Sequence, residues 1–300
     1  LAVHAGHTID PATGAVSAPI HLSTTFERDI EGSYSRGFMY TRNNNPNREA
    51  LERGVSLLEA GETAAAFSSG TAAAMALFQA LAPGDHVLAH VDAYYGTSRL
   101  LREIFLRWGL EADFVDMSNL EEVKKALRPQ TKLAWAETPS NPLLKVSDIA
   151  ALAELAHAGG TLLACDNTFA TPVLQRPLEL GADLVMHSST KYLGGHSDVL
   201  GGVLVLGDSA PLARLQEFQA CGGGVPSPLR CPCRRIRQGP RAPVRKKPRA
   251  MQRRSEDFCQ LFLRAAQSNA LFGAHQRALD QARFGDHCRQ HGCIIGLRQP

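Results

Sequence analysis

Lys191 follows Ser188, Ser189 and Thr190 and precedes a run of small residues, Gly194-Gly195-His196-Ser197. Such surroundings let a ligand approach the backbone closely, and a lysine whose amine is neutral at the moment of attack can form a Schiff base with a carbonyl cofactor. The competing reading is a solvated surface lysine, the commoner fate of the residue type. Asp166 closes the apolar run Leu162–Cys165. A buried carboxylate there could pair with a protonated pyridine nitrogen and keep such a ring an electron sink, although Asp is also a good helix cap. Tyr94 offers a flat face for stacking on that ring, with Tyr95 its rival. Ser68-Ser69-Gly70-Thr71-Ala72-Ala73 puts small residues where a strand turns into a helix. Free backbone N–H groups and the positive helix end favour a phosphate there, while small residues also serve close helix packing. Neither GxxxxGK[ST] nor GxGxxG occurs, so the expected ligand is a small phosphorylated molecule rather than a nucleotide.

These residues need elements to position them. Short apolar runs predict strands at 63–67, 86–90, 111–115, 133–137, 161–166, 183–187 and 203–206. Helical spacing predicts helices over 46–59, 71–81, 97–108, 120–127, 148–157 and 210–220. Pro46 suits a first helical turn. Strands of about five apolar residues separated by helices of about ten are the signature of a parallel sheet covered on both faces, an α/β fold. Ligands of such sheets gather beyond the carboxyl ends of the strands. Five strand ends carry polar groups: Ser68 to Gly70, Asp92 to Gly96, Thr138 to Asn141, Asp166 to Thr168, and Ser188 to Lys191. Strand-end loops are polar in general, but five in register, with one Lys and one Asp among them, point to a site. Residues 1–45, rich in Thr, Ser, Gly and Asn, are expected to be an extended arm, and 46–228 the large domain.

The chain has 300 residues, 44% hydrophobic and 20% charged. That excludes a wholly disordered protein, a collagen-like rod and a small disulfide scaffold. No apolar run reaches the roughly 18 residues of a membrane span, and residues 1–4 carry no basic or apolar leader, so a soluble cytoplasmic protein is expected. The net charge of +3 hides a division. Sixteen of the 32 basic residues but only four of the 29 acidic ones lie between Arg230 and Pro300, so the tail carries +12 and the body −9. Five of the seven cysteines (Cys231, Cys233, Cys259, Cys288 and Cys293) also lie there. An odd count precludes a fully paired disulfide set within one chain.

The segment Ser188-Ser189-Thr190-Lys191-Tyr192-Leu193-Gly194-Gly195-His196-Ser197-Asp198 closely resembles the cofactor-lysine motif of the Cys/Met-metabolism pyridoxal-phosphate enzymes. Tyr40-Thr41-Arg42 with Asn45-Pro46-Asn47, Ser68-Ser69-Gly70, Asp92 to Arg99, Glu137 to Pro142 and Asp166 to Phe169 resemble that family in the same order. The resemblance runs from about Ala2 to Pro228 and implies the aspartate-aminotransferase-like type I fold. It further implies that Lys191 is the cofactor lysine and proton shuttle, that Asp166 pairs with the pyridine nitrogen, and that Tyr94 stacks on the ring and helps proton transfer. Ser69, Gly70, Thr71, Ser188 and Thr190 would hold the phosphate. Tyr40 and Arg42 would reach the phosphate of a neighbouring subunit in a dimer within a tetramer. Asn141 would lie near the cofactor hydroxyl and the substrate carboxylate. The activity implied is γ-replacement on an O-acylhomoserine by cysteine, with γ-lyase and sulfhydrylase chemistry as alternatives. Small-molecule amino acids are the expected partners, with no membrane, no metal and no nucleic acid.

The resemblance stops after Gly222 to Pro228. Family members continue into a C-terminal α/β domain whose arginine binds the substrate carboxylate, and no such arginine is assigned in 229–300. A reading-frame change near residue 229 would produce this switch to Arg, Pro, Cys and Gln. The tail is expected to be poorly packed. Its sixteen basic residues suit electrostatic anion binding, which leaves a second reading: a catalytically dead chain that keeps the fold and carries a basic tail. Cys231-Pro232-Cys233 with Cys259, His287, Cys288, His291 and Cys293 lacks the spacing of structural zinc modules. Few aromatics (Phe258, Phe262, Phe272 and Phe284) are present for base stacking.

Overall fold

The computed structural model describes residues 5–6 and 8–231. The expectations for 232–300, including the basic tail and its cysteines beyond Cys231, lie outside the described residues. The polar arm carries one isolated bridge, Thr25 with Tyr40. It then enters α1 (Pro46–Glu59), with Pro46 in the first turn and the Asn45 side chain accepting from Asn47 N–H. The order continues β1 (Thr63–Phe67), α2 (Gly70–Gln79), β2 (His86–His90), α3 (Tyr95–Arg99), a π-helical stretch (Leu100–Phe105), α4 (Leu106–Trp108) and β3 (Glu111–Val115). There follow α5 (Leu120–Ala126), β4 (Thr131–Glu137), α6 (Ile149–Ala158), β5 (Leu162–Asp166) and α7 (Thr171–Leu174). A 3₁₀ turn (Pro177–Leu180), β6 (Leu184–His187), β7 (Gly202–Leu206), α8 (Leu212–Gly222) and a 3₁₀ turn (Pro228–Arg230) complete the described chain.

The seven strands lie in the order β1-β7-β6-β5-β4-β2-β3. Neighbours among β2 to β6 pair in parallel, whereas β7 is antiparallel to both β1 and β6. The sheet is therefore mixed. β1 to β6 nevertheless all point one way, so the ends of β1, β2, β4, β5 and β6 share one edge, and β7 starts from that edge. Alternation along the strands supplies two apolar faces. Phe67, Trp135, Met186 and Leu204 pack with Ala73, Leu77 and Leu215 of α2 and α8. On the other face Leu163 and Cys165 meet Ile149 and Leu152 of α6, and Val203 and Val205 meet Val55 of α1. The result is a helix–sheet–helix sandwich.

The helix expected over 97–108 is present but interrupted, because its middle winds as a π turn between α3 and α4. Period counting is blind to one extra residue per turn. α7 went unforeseen, its four residues being too few for a period to show.

Candidate active site

The strand order reverses between β4 and β2, since the chain leaves β2 outward to β3 and returns to β4 on the inner side. Crevices at such switch points receive ligands. Here the loops are bound together by Asp92, whose carboxylate accepts from Ser140 Oγ and, at 3.1 Å, from Leu143 N–H. Asn141 N–H donates to Asp92 O at 3.2 Å.

Asp166 is the last residue of β5 and lies opposite Glu137, the last residue of β4. Both are 5% exposed. Asp166 Oδ1 accepts from Thr168 N–H at 3.0 Å, and Glu137 Oε2 accepts from Tyr94 N–H at 2.6 Å. Burial pushes the Glu137 carboxyl well above the usual range, and the neighbouring Asp166 charge adds to this. Burial also raises Asp166, against hydrogen bonds from Thr168 and the field of His187. Two buried carboxyls side by side disfavour double ionisation, and a cation held against Asp166 would relieve that penalty. Tyr94 directly precedes α3, exposed, with its ring laid along Gly96: a Cβ there would sit 2.4 Å from Tyr94 Cε1. Tyr95 is exposed too, but its ring is covered by Arg99 at 5.6 Å.

At the neighbouring end of the sheet Gly70 opens α2, and the first N–H groups of a helix have no intrahelical acceptor. A Cβ on Gly70 would stand 2.8 Å from Ser188 Cβ, so the glycine lets the two turns touch. Ser188 N–H donates to Thr168 Oγ1 at 2.9 Å, which ties this turn to the Asp166 turn. Ser69 Oγ caps α2 by accepting from Ala72 N–H at 3.1 Å. Thr71 is exposed on the first turn. The Thr190 hydroxyl is turned to Gly201, donating to its carbonyl at 3.2 Å and accepting from its N–H at 3.1 Å. Lys191 lies on the exposed turn beyond β6, its N–H donating to Ser188 O at 3.1 Å.

Tyr40 and Arg42 lie beside the end of α8. Arg42 Nη1 donates to Ala220 O near the end of α8, and its guanidinium covers the Tyr40 ring at 5.6 Å. Glu137, Thr168, Glu59 and His187 were given no role by the sequence. Glu137 stands inside a quoted segment, and its strand-end position opposite Asp166 was the available signal. For Glu59 the signal was an acid at the unfavourable end of a predicted helix.

The chain matches the family described as Cys/Met metabolism PLP-dependent enzyme over residues 1–235. It is 49% identical over 229 residues to the cystathionine gamma-synthase of Mycobacterium tuberculosis, covering 76% of this chain and 59% of that protein. It is 48% identical over 228 residues to the cystathionine gamma-lyase of Bacillus subtilis, covering 76% and 60%. Among solved structures, metB from Corynebacterium glutamicum superposes with a TM-score of 0.76 at 45% identity, covering 78% of this chain and 61% of that one. The cystathionine gamma-lyase of Lactobacillus plantarum, complexed with L-serine, gives 0.74 at 40%, covering 77% and 60%. The chain thus spans about three fifths of the length of these relatives. The described residues fit pyridoxal phosphate, with a buried carboxyl for the ring nitrogen and a side-chain-free cradle at Gly70 for the phosphate. With that fold, that edge of the sheet and that match, the chain belongs to the Cys/Met metabolism family of PLP-dependent enzymes.

Proposed function

We propose that the protein catalyses γ-replacement on an O-acylhomoserine by cysteine, the chemistry of a cystathionine gamma-synthase. The observation that carries this is the shared strand-end edge, where Asp166 and Glu137 of adjacent strands lie beside turns bearing Tyr94, Gly70, Ser188 and Lys191. Similarity to a gamma-synthase at 49% and to a gamma-lyase at 48% identity supports trans-sulfuration chemistry, and the product test below chooses between the two reactions. Pyridoxal phosphate, when bound, supplies a ring that withdraws electrons from the amino acid attached to it. Asp166 holds the ring nitrogen as a cation, and the cost of burying its carboxylate is offset by that partner. Tyr94 covers the ring face from a backbone position fixed by Glu137. Gly70 and Thr71 N–H groups at the start of α2, with the Ser188 hydroxyl, receive the phosphate, whereas the Thr190 hydroxyl, expected to share in this, is spent on Gly201 and braces the turn instead. Ser69 supports that turn as its cap. Asn141, in the loop bound to Asp92, faces the substrate carboxylate. Lys191 Nζ would hold the cofactor through its aldehyde and would be the base that moves protons at Cα and Cβ of the substrate. Those proton movements would let the γ-acyloxy group depart as a carboxylate and a cysteine thiolate take its place.

The first test is an absorbance spectrum of the purified chain with pyridoxal phosphate. A band of the lysine-bound cofactor is expected in the wild type and absent in Lys191→Ala, and no band in either protein refutes the site. Product analysis with O-succinylhomoserine and cysteine then decides the reaction. Cystathionine supports γ-replacement, whereas a keto acid with ammonia points to γ-elimination. Neither product from a protein that shows the band supports the dead-chain reading.

A further inference from the structure

Behind the strand ends, on the sheet face opposite Asp166, three polar side chains meet. Glu59 closes α1, His187 closes β6 and Asn167 follows Asp166, and each is 0% exposed. Glu59 Oε1 accepts from Asn167 Nδ2 at 2.7 Å and from His187 Nε2 at 2.5 Å. Asn167 is held on its other sides as well, its N–H donating to Met186 O at 2.9 Å and its Oδ1 accepting from Gln175 Nε2 at 2.8 Å. A carboxylate in the last turn of a helix opposes the helix dipole, and a buried one is costly unless paired and hydrogen-bonded. α1 gains nothing locally from an acid at this place, since its last turn holds no basic residue.

What the acid does is join two turns through one oxygen. Asn167 adjoins Asp166, the partner proposed for the ring nitrogen. His187 adjoins Ser188, which packs on Gly70 in the proposed phosphate cradle. A rigid ligand gripped at both ends demands one fixed spacing between its two holders, and preorganising that spacing adds affinity without a new contact. We infer that Glu59, on the reading of Asp166 and Ser188 given above, is a positioning residue that clamps the Asp166–Asn167 turn to the His187–Ser188 turn and so sets the span between ring-nitrogen site and phosphate site. Glu59 touches neither end of the ligand.

The test titrates the full chain with pyridoxal phosphate, with pyridoxal, which lacks the phosphate handle, and with inorganic phosphate. Glu59→Gln keeps the side-chain size but loses the charge that strengthens both hydrogen bonds. Pyridoxal phosphate affinity should fall about tenfold, while pyridoxal and phosphate, each using one end only, stay within about twofold of wild type. Asn167→Ala cuts the Asp166 arm together with two hydrogen bonds to Gln175 and should give the same pattern. Gln175→Ala, which spares the Glu59 contact, should not, so this pair decides the matter if Glu59→Gln does not fold. Equal losses for pyridoxal phosphate and pyridoxal, or no loss for the former, overturn the clamp. Asp166→Asn and Ser188→Ala separate this from the underlying reading. If neither weakens pyridoxal phosphate binding, the site itself is misassigned; if both do and Glu59→Gln does not, only the clamp fails.

Discussion

At the strand-end edge two buried carboxyls respond to pH, and Glu137 is the one raised furthest. Glu137 is buried beside Asp166, and burial raises its folded pKa above that of an unfolded glutamate. A raised carboxyl contributes its stability fully below the unfolded pKa, and that contribution is lost as pH rises through the folded value. The chain without cofactor should therefore weaken from acid toward alkaline pH on this account. Glu137→Gln removes the titration while leaving a carbonyl to accept from Tyr94 N–H. At pH 5 its melting temperature should match wild type closely. At pH 8 it should be higher by about 2–4 °C, corresponding to roughly 1 kcal/mol. Thermal melts at both values test this, and a difference that does not change with pH would show that the carboxyl is not held neutral by its surroundings.

Elements place such residues, and here close approach of two backbones matters more than any side chain. Gly202 opens β7, and a Cβ on it would meet Ser69 O at 2.2 Å and Gly70 Cα at 2.8 Å. Both obstacles are backbone, so Gly202→Ala must push the start of α2 away from β7. The expected cost is about 1–3 kcal/mol, with weaker phosphate binding because the helix end moves with it. Gly222→Ala at the end of α8 meets nothing within 4 Å and should instead gain up to about 1 kcal/mol from helix propensity. Urea unfolding of the two variants should give shifts of opposite sign. Much of this scale is legible in the sequence. The run at 111–115 is the sheet's half-exposed edge strand β3, with Glu111 and Asp113 among its apolar residues, while those at 63–67 and 86–90 coincide with β1 and β2 because a strand buried on both faces is largely apolar. For the same reason the direction of β7 is illegible, since Gly202–Leu206 reads alike whether its neighbours run with it or against it. At the site, Lys191, Asp166 and Gly70 stand in contiguous motifs. The contacts from Glu59 to Asn167 and His187 bridge 108 and 128 residues of chain, and only the fold brings them together.

For the whole molecule, the arm and the Tyr40–Arg42 unit have one geometry to explain. Among the described residues Ile9, Val16, Leu22 and Ile30 of the arm are exposed. Arg42 is fixed from behind by Ala220 O and stacked on Tyr40, so the pair forms a rigid group on the α8 side of the molecule. The proposed phosphate cradle of the same chain is instead built by Gly70 and Ser188. If Arg42 serves the cradle of a second copy, each site takes Lys191 from one subunit and Arg42 from the other. Arg42→Ala and Lys191→Ala should then complement each other. Random mixing makes about half of the dimers hybrid, and a two-fold interface gives each hybrid one site with both residues intact, about a quarter of the wild-type number. Co-refolded mixtures titrated with pyridoxal phosphate should show that fraction of tight sites with the lysine-bound absorbance. Neither parent should show them, because one lacks the lysine and the other binds weakly. A mixture that gives only the sum of its parents would place Arg42 outside any shared site.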